Sequence, residues 1–352
     1  MQNSKLKNSV VMATYNGEKY IIEQLDSIKN QTLPPDEVII CDDKSTDRTC
    51  EIISDYIKKN DLENWRLYEN EKNVGFYKNF FHALRLSTGD IIYLSDQDDV
   101  WCLDKIKTFT EYYLADPGLT MVQSNVKFID SKGNDKQDNE NYHYFKSGNI
   151  CELTTMDMCR FAGSGFTMSF RSNVSEMILN NALDQTGLFP YHDILIGLVA
   201  VVLGRCILDR DIIDSHRVHD NNVTKKSSKS FISGRTKKGQ LEILNSRVKY
   251  ITELSEYAID AKKKETLKKF ARFCQIRAEL IRKFNIGVFI ELEQNRKMYA
   301  SKMGLITDTL YSLGLEKFII LILKRNRKTH RNIQISKFGL YERDFTKFLE
   351  KK

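Results

Sequence analysis

Carboxylates crowd into the stretch Ser95-Asp96-Gln97-Asp98-Asp99-Val100-Trp101. It follows the apolar run Ile91 to Leu94, which reads as a short buried strand, and precedes a helical pattern from Cys102 to Ala115. Like charges gathered at one strand end oppose each other's ionisation, so folding alone gives little reason to put them there. A divalent cation facing a phosphate gives one, because Mg²⁺ takes one or two carboxylates together with phosphate oxygens. An acidic loop that caps the next helix is the plainer alternative.

The elements that must position these acids are legible in the hydrophobic pattern. Val10 to Ala13 is an apolar run ending at the turn signal Thr14-Tyr15-Asn16-Gly17. Lys19 to Asn30 carries Ile21, Ile22, Leu25 and Ile28 at helical spacing. Glu37 to Cys41 reads as a second buried strand, stopped by Asp42-Asp43-Lys44-Ser45-Thr46-Asp47. Ser45 or Thr46 is placed there to cap a helix running to Lys59. Trp65 to Tyr68 is a third strand. Asn73-Val74-Gly75 turns into a helix from Tyr77 to Leu86, and Gly89-Asp90 opens the strand that delivers Asp96. Alternating βα units of this length predict a mostly parallel sheet with helices on both faces, an α/β fold. In such sheets ligands bind beyond the carboxyl ends of the strands, so Thr14-Tyr15-Asn16, Asp42-Asp43 and Asp96 to Asp99 should line one crevice.

In that order and spacing, the segments Ala13 to Gly17, Val38 to Asp47 and Ser95 to Asp99 resemble the successive signatures of family 2 glycosyltransferases of GT-A fold. The resemblance covers about residues 5 to 220. The variant Ser95 to Trp101, with His192-Asp193 and Arg217-Val218-His219-Asp220-Asn221-Asn222 later on, is most similar to the bacterial rhamnosyltransferases of cell-surface polysaccharide synthesis.

The resemblance implies a job for each matching residue. The backbone of Ala13, Thr14 and Tyr15 and the side chain of Asp43, with Asp42, would hold the base and ribose of a nucleotide sugar. Asp96 and Asp98 would be the family's Asp-x-Asp pair, Asp98 the direct metal ligand and Asp96 nearer the ribose or a metal-bound water. Lys78 would face the nucleotide, or be a solvated helix lysine. Trp101 reads as a packing anchor. Family 2 enzymes invert the anomeric centre, so one base suffices, and Asp193 is the candidate. At a helix N-terminus the macrodipole would favour its ionised form, although an N-cap aspartate is the ordinary reading of the same position. His192 departs from the Glu-Asp pair common in the wider family, which leaves its role open. His219 would reach the metal or the diphosphate, and Arg217 would donate to phosphate oxygens. For His216 a satisfied strand end stands beside a functional role. Gly163-Ser164-Gly165 would permit close backbone approach in the acceptor half.

Composition accords with this reading. The 352 residues, 41% hydrophobic and 29% charged, suffice for one sizeable core and a helical appendage. Seven cysteines without Cys-x-x-Cys pairs predict reduced thiols and a cytoplasmic setting, and the early first strand leads us to expect no signal peptide. The net charge of +7 hides a split. Residues 225–352 hold 31 Lys and Arg against 13 Asp and Glu, which, taken from chain totals of 54 and 47, leaves 23 against 34 in residues 1–224. The polar stretch Thr224 to Gly234 separates the two. Expected helices beyond it are Leu241 to Ala258, Thr266 to Arg282 and Glu291 to Met303, before the apolar Phe318 to Leu323 and the basic Lys324 to Lys328.

The expected organisation is thus a GT-A domain over 1–224, with a nucleotide half over 1–100 and an acceptor half over 101–224, followed by a basic helical region over 225–352. The expected function is inverting, Mn²⁺- or Mg²⁺-dependent transfer of a sugar to a lipid-linked or growing polysaccharide, with dTDP-rhamnose as donor. UDP-glucose or UDP-galactose as donor is the near alternative, and a non-catalytic scaffold the distant one. An anionic membrane surface is the expected partner of the basic region, at the inner face of the plasma membrane. Its alternative is a set of solvated helices. No nucleic-acid recognition motif is present.

Overall fold

The computed structural model describes residues 5–135, 150–160, 165–220, 222, 236–299 and 303–319. Residues up to 135, 150–154 and 165–218 form one compact unit; 155–160 and those from 219 onward form a second.

The first unit opens with β1 (Asn8–Thr14), α1 (Ile21–Lys29), β2 (Glu37–Asp42), α2 (Thr49–Lys59), β3 (Trp65–Glu69), α3 (Phe76–Leu86), β4 (Ile91–Ser95) and α4 (Lys105–Ala115). It continues through β5 (Leu119–Ile129), β6 (Cys151–Leu153), β7 (Met168–Arg171), α6 (Ser172–Asn180), α7 (His192–Leu203) and β8 (Arg205–Arg217), with α5 (Thr155–Arg160) falling in the second unit. One sheet runs β3-β2-β1-β4-β7-β5-β8-β6. Strands β3, β2, β1 and β4 are parallel, and the register sets Thr14 beside Asp42 and Met12 beside Ser95. The carboxyl ends of β1, β2 and β4 therefore open on the same edge.

Burial explains these elements. Val10, Met12, Val38, Ile40, Ile91 and Tyr93 are fully buried and pack with Ile21, Leu25 and Ile28 of α1 and with Phe109 and Tyr113 of α4. The i, i+4, i+7 spacing on α1 is the stripe a sheet-facing helix needs. Asp47 starts α2 by accepting the Thr49 N–H at 3.0 Å, so the capping oxygen is not that of Ser45 or Thr46, the residues expected from sequence.

The second half of the sheet is mixed. β7 runs antiparallel to both β4 and β5, and β8 runs parallel to β5 over a long ladder with a register shift at Ser124 and Asn125. Asn125 fills that irregularity: its Nδ2 donates to Arg210 O at 3.1 Å and its Oδ1 accepts from Val126 N at 2.9 Å. Beyond it β8 runs on beneath the acidic loop, where Val100 and Ser215 exchange backbone bonds at 2.9 and 2.8 Å.

In the second unit, helices Lys237–Tyr257 and Ala261–Arg282 pack on each other. Both begin earlier than the sequence pattern suggested, because Thr236 and Asp260 cap them by accepting from Gly239 N and Lys263 N. The stretch expected as one helix over Glu291 to Met303 is instead the helix Ile286–Gln294, capped by Asn285, and a 3₁₀ turn at Arg296–Met298. Arg277 bridges to Asp308 at 2.7 and 3.0 Å, and the Tyr299 hydroxyl donates to the same carboxylate at 2.7 Å. The expected linker Thr224 to Gly234 and most of Phe318 to Lys328 lie outside the described residues. Among the described residues no helix is long and apolar enough to cross a membrane.

Candidate functional site

Three loops meet at the shared strand edge. The loop after β1 is sewn to the loop after β2. Asn16 N donates to Ser45 Oγ and Thr46 N to Asn16 Oδ1, both at 2.8 Å, while Gly17 N donates to Thr49 Oγ1 at 2.8 Å. The same β1 loop is sewn to the acidic loop by Gln97, whose Oε1 accepts from Tyr15 N at 2.8 Å and whose Nε2 donates to Tyr15 O at 2.9 Å. Gly17 makes room for it, since a Cβ there would lie 2.3 Å from Gln97 Oε1.

Asp42 and Asp43 face inward. Asp42 is buried and accepts from Thr14 Oγ1 at 2.7 Å and from Ser45 N and Oγ at 2.6 Å. Asp43 is 3% exposed and accepts from Val74 N at 2.7 Å, Gly75 N at 2.8 Å and Asn70 Nδ2 at 3.1 Å. Both carboxylates thus fix the entries to α2 and α3, and a ribose at Asp43 would share those bonds. Ala13 is half-buried, Thr14 buried and Tyr15 exposed; Lys78 is exposed on α3.

The acids of the loop after β4 differ in surroundings. Asp99 is fully buried and accepts from Arg217 N at 3.0 Å and from His216 Nδ1 at 2.8 Å, while its second carboxylate oxygen has no hydrogen-bond partner. Burial lowers the His216 pKa, but Asp99 first, then Asp98 and Asp96, more than offset it and carry the imidazole to about 9. His216 is therefore a cation at neutral pH, stacked on Phe166 at 4.9 Å between centroids. Asp96 and Asp98 are half-buried. Burial, then the charges of Asp99 and Asp98, push the Asp96 carboxyl well above its usual range; Asp193 adds to the push and His216 opposes it. So Asp96, Asp98, Asp99, His216 and Asp193 share one electrostatic neighbourhood.

Arg217 is turned into the protein interior. Its side chain is fully buried, with Nε donating to Asp98 O at 3.0 Å, Nη1 to Asp130 O at 3.3 Å and Nη2 to Glu23, and its guanidinium lies over the Tyr20 ring. It braces the acidic loop from behind. Lys105 does similar work deeper down, donating to Asp214 at 2.7 Å and to Phe166 O at 2.8 Å, with its ammonium 4.1 Å from the centroid of the Trp101 ring. Trp101, 3% exposed, is the packing anchor expected.

Asp193 opens α7 and accepts from Ile194 N at 2.8 Å. Burial lifts its carboxyl to about 7, against the opposing bonds from the backbone of Ile194, Gly165 and Asp193 itself. The helix end was expected to keep this acid low; burial outweighs it. His192 is buried and stacked on Phe80 with centroids 4.0 Å apart, neither ring nitrogen has a partner, and burial lowers its pKa to about 3. Gly165 leaves room for that ring, since a Cβ would sit 2.7 Å from His192 Nε2. Gly163 and Ser164 lie outside the described residues.

Residues 9–174 match the family described as Glycosyl transferase family 2. The chain carries a family 2 glycosyltransferase domain. Among curated relatives, the poly(ribitol-phosphate) beta-N-acetylglucosaminyltransferase TarS of Staphylococcus aureus is 38% identical over 27% of this chain and 16% of its own length. The dTDP-rhamnosyl transferase RfbG of Shigella flexneri is 41% identical over 27% of this chain and 34% of its own. The chain therefore spans about a sixth to a third of these relatives. The crystal structure of S. aureus TarS 1–349 in complex with UDP-GlcNAc superposes with a TM-score of 0.57 at 19% identity, covering 90% of this chain and 92% of that one. That likeness is one of fold, the GT-A architecture.

The family 2 domain can be tested for fit to a divalent cation. No three His, Cys, Asp or Glu side chains among the described residues form a metal cage. His219, named from sequence as a third ligand, falls in the second unit, where its N–H donates to Asn222 Oδ1 at 2.6 Å. What the domain offers is the carboxylate pair Asp96 and Asp98 on a loop whose crowded negative charge a cation would relieve. A pair of carboxylates awaiting phosphate oxygens suits Mg²⁺ or Mn²⁺, so the residues fit the group. Sequence reasoning missed Gln97, read only as the spacer of Asp-x-Asp, and Asp99 with its His216 partner. Neither had a signal, since their partners lie 82 and 117 positions away.

Proposed function

We propose that this chain moves a sugar, with inversion, from a nucleoside diphosphate to a hydroxyl of a lipid-linked or growing cell-surface polysaccharide. The observation that carries the reading is Asp193, a carboxyl at about 7 whose charge acts on Asp96 at the end of β4, within a family 2 domain. A general base works best with its pKa near the operating pH. The acceptor oxygen attacks the anomeric carbon as the bond from that carbon to the diphosphate breaks, and the acceptor's proton passes to the Asp193 carboxylate. Asp98, with Asp96, would hold Mn²⁺ or Mg²⁺, which supplies neutralisation of the departing diphosphate. The β1 loop from Ala13 to Tyr15, braced by Gln97, would seat the base and ribose beside Asp43, and Lys78, exposed on α3, would meet phosphate or solvent.

The favoured donor is dTDP-rhamnose. Its support is the Ser95 to Trp101 motif variant and the stretch shared with the Shigella rhamnosyl transferase. The excess of basic residues over 225–352 supports a second proposal, attraction to anionic lipid at about 1 kcal/mol per residue near the surface. Co-sedimentation with phosphatidylserine vesicles that is lost in high salt is the expected result, and salt-independent or absent binding would remove it.

Thermal stabilisation by dTDP, UDP and GDP, with and without Mn²⁺, in wild type and Asp98→Asn tests the main reading. At a hundredfold excess over Kd a ligand adds about 2.7 kcal/mol to apparent stability. A metal-dependent effect, larger for dTDP than UDP and lost in the variant, is expected. A preference for UDP replaces the donor with UDP-glucose or UDP-galactose. No effect from any nucleotide leaves a non-catalytic scaffold.

A further inference from the structure

Two aromatic rings stand together where α3 and α7 begin. Phe76, the first residue of α3, and Tyr191, immediately before α7, stack with centroids 6.2 Å apart and planes 26° from parallel. Yet they remain 38% and 39% exposed. Their backbones are fixed from both sides. Asp43 grips the N–H groups of Val74 and Gly75, the latter at a φ of 86°. His192, the next residue after Tyr191, is stacked on Phe80 and meets Phe76 edge-on with centroids 6.1 Å apart. Tyr191 is also two residues from Asp193.

A scattered exposed aromatic needs no explanation. A stacked pair held by buried anchors, two residues along the chain from Asp193, is different. Aromatic faces are negative and bind the positively polarised C–H edges of another ring. A pyranose offers such C–H groups on one face while its hydroxyls stay at the perimeter. A flexible alditol phosphate presents no such face.

We propose that Phe76 and Tyr191 form the platform on which a pyranose ring of the acceptor lies, bringing one of its hydroxyls to Asp193. This rests on the transferase reading and narrows its acceptor to a cyclic sugar.

Saturation-transfer NMR on the full chain tests it, in the presence of the nucleoside diphosphate that stabilises it most. The probes are methyl α-L-rhamnopyranoside, methyl β-D-glucopyranoside and ribitol 5-phosphate. Ring C–H protons of at least one pyranoside should receive saturation and ribitol 5-phosphate should not. Phe76→Ala and Tyr191→Ala should each weaken the pyranoside roughly two- to tenfold, while Tyr191→Phe retains it. Nucleoside diphosphate affinity measured on the same samples serves as the folding control.

Nucleotide binding without pyranoside contact, equal contact in the alanine variants, or equal saturation of ribitol 5-phosphate would each overturn the platform. So would alanine variants that weaken a nucleotide sugar relative to its free nucleotide, because the rings would then seat the donor. Absence of nucleotide binding in the wild type would instead overturn the transferase reading beneath it.

Discussion

Replacing Asp193 with asparagine should stabilise the protein at alkaline pH while stopping its chemistry. The carboxyl ionises at about 7 rather than near its ordinary 3.8 because burial disfavours the charge. A rise from 3.8 to about 7 corresponds to at most about 4 kcal/mol. Asp193 is only half-buried, so solvent screening reduces the figure to about 1–2 kcal/mol. The sign follows from which state holds the proton. Between about pH 4 and 7 the unfolded chain has lost this proton and the folded chain keeps it, so this group's contribution to stability declines as pH rises and is fully lost above 7. Asparagine carries no charge, and its side-chain oxygen can still accept from Ile194 N. The gain of Asp193→Asn over wild type should therefore be small at pH 5 and grow to roughly 3–6 °C in melting temperature at pH 8.5. Transfer to acceptor should fall ~10²–10⁴-fold, the usual weight of a general base. Melting curves at four pH values, run beside a nucleoside diphosphate release assay, measure both. An asparagine variant less stable than wild type at pH 8.5, or a difference flat across pH, would refute the claim that burial governs this carboxyl.

Two further perturbations probe the scaffold of the site. Gln97→Ala removes both bonds to the Tyr15 backbone and should cost about 1 kcal/mol for each, raising the Kd for nucleoside diphosphate several-fold. Gly17→Ala should reproduce the effect by pushing the Gln97 amide aside, and unchanged affinity in both variants, read by isothermal titration, would remove Gln97 from the account. Lys105→Met leaves Asp214 buried without its cation, so urea denaturation should show a loss of roughly 3–5 kcal/mol. The double variant Lys105→Met/Asp214→Asn should lose less than the sum of the two single changes, and strict additivity would show that the pair does not interact.

The sequence pattern was most legible where structure is local. Val10 to Ala13, Val38 to Ile40 and Ile91 to Leu94 are unbroken apolar runs set between polar turns, and a strand buried on both faces leaves that trace. The helical stripes of α1 and α3 were equally clear. Less legible were β5, β7 and β8, because β7 is four residues long and β8 is interrupted by the charged run Asp209-Arg210-Asp211 and again by Asp214. Those charges look like a loop until their partners are known: Asp214 neutralises Lys105 and Asp209 accepts from Tyr112 at 2.7 Å.

The same limit governed the site. Composition and spacing picked out which acids gather, but not which of them stay available. Asp42, Asp43 and Asp99 look interchangeable with Asp96 and Asp98 in one dimension. In three, the first group is buried on backbone N–H groups and on a protonated histidine, whereas Asp96 and Asp98 are half-buried on the loop after β4. Division of labour among five carboxylates is set by long-range partners. Asp99 and His216 make the point: the imidazole opposes the rise that burial, Asp99 and Asp98 impose on the Asp96 carboxyl, and without that counter-charge the repulsion among Asp96, Asp98 and Asp99 would fall on the loop unrelieved. The Asp96 carboxyl is nonetheless pushed well above its usual range, so a divalent cation bound there would displace a proton as well as relieve the crowding of charge.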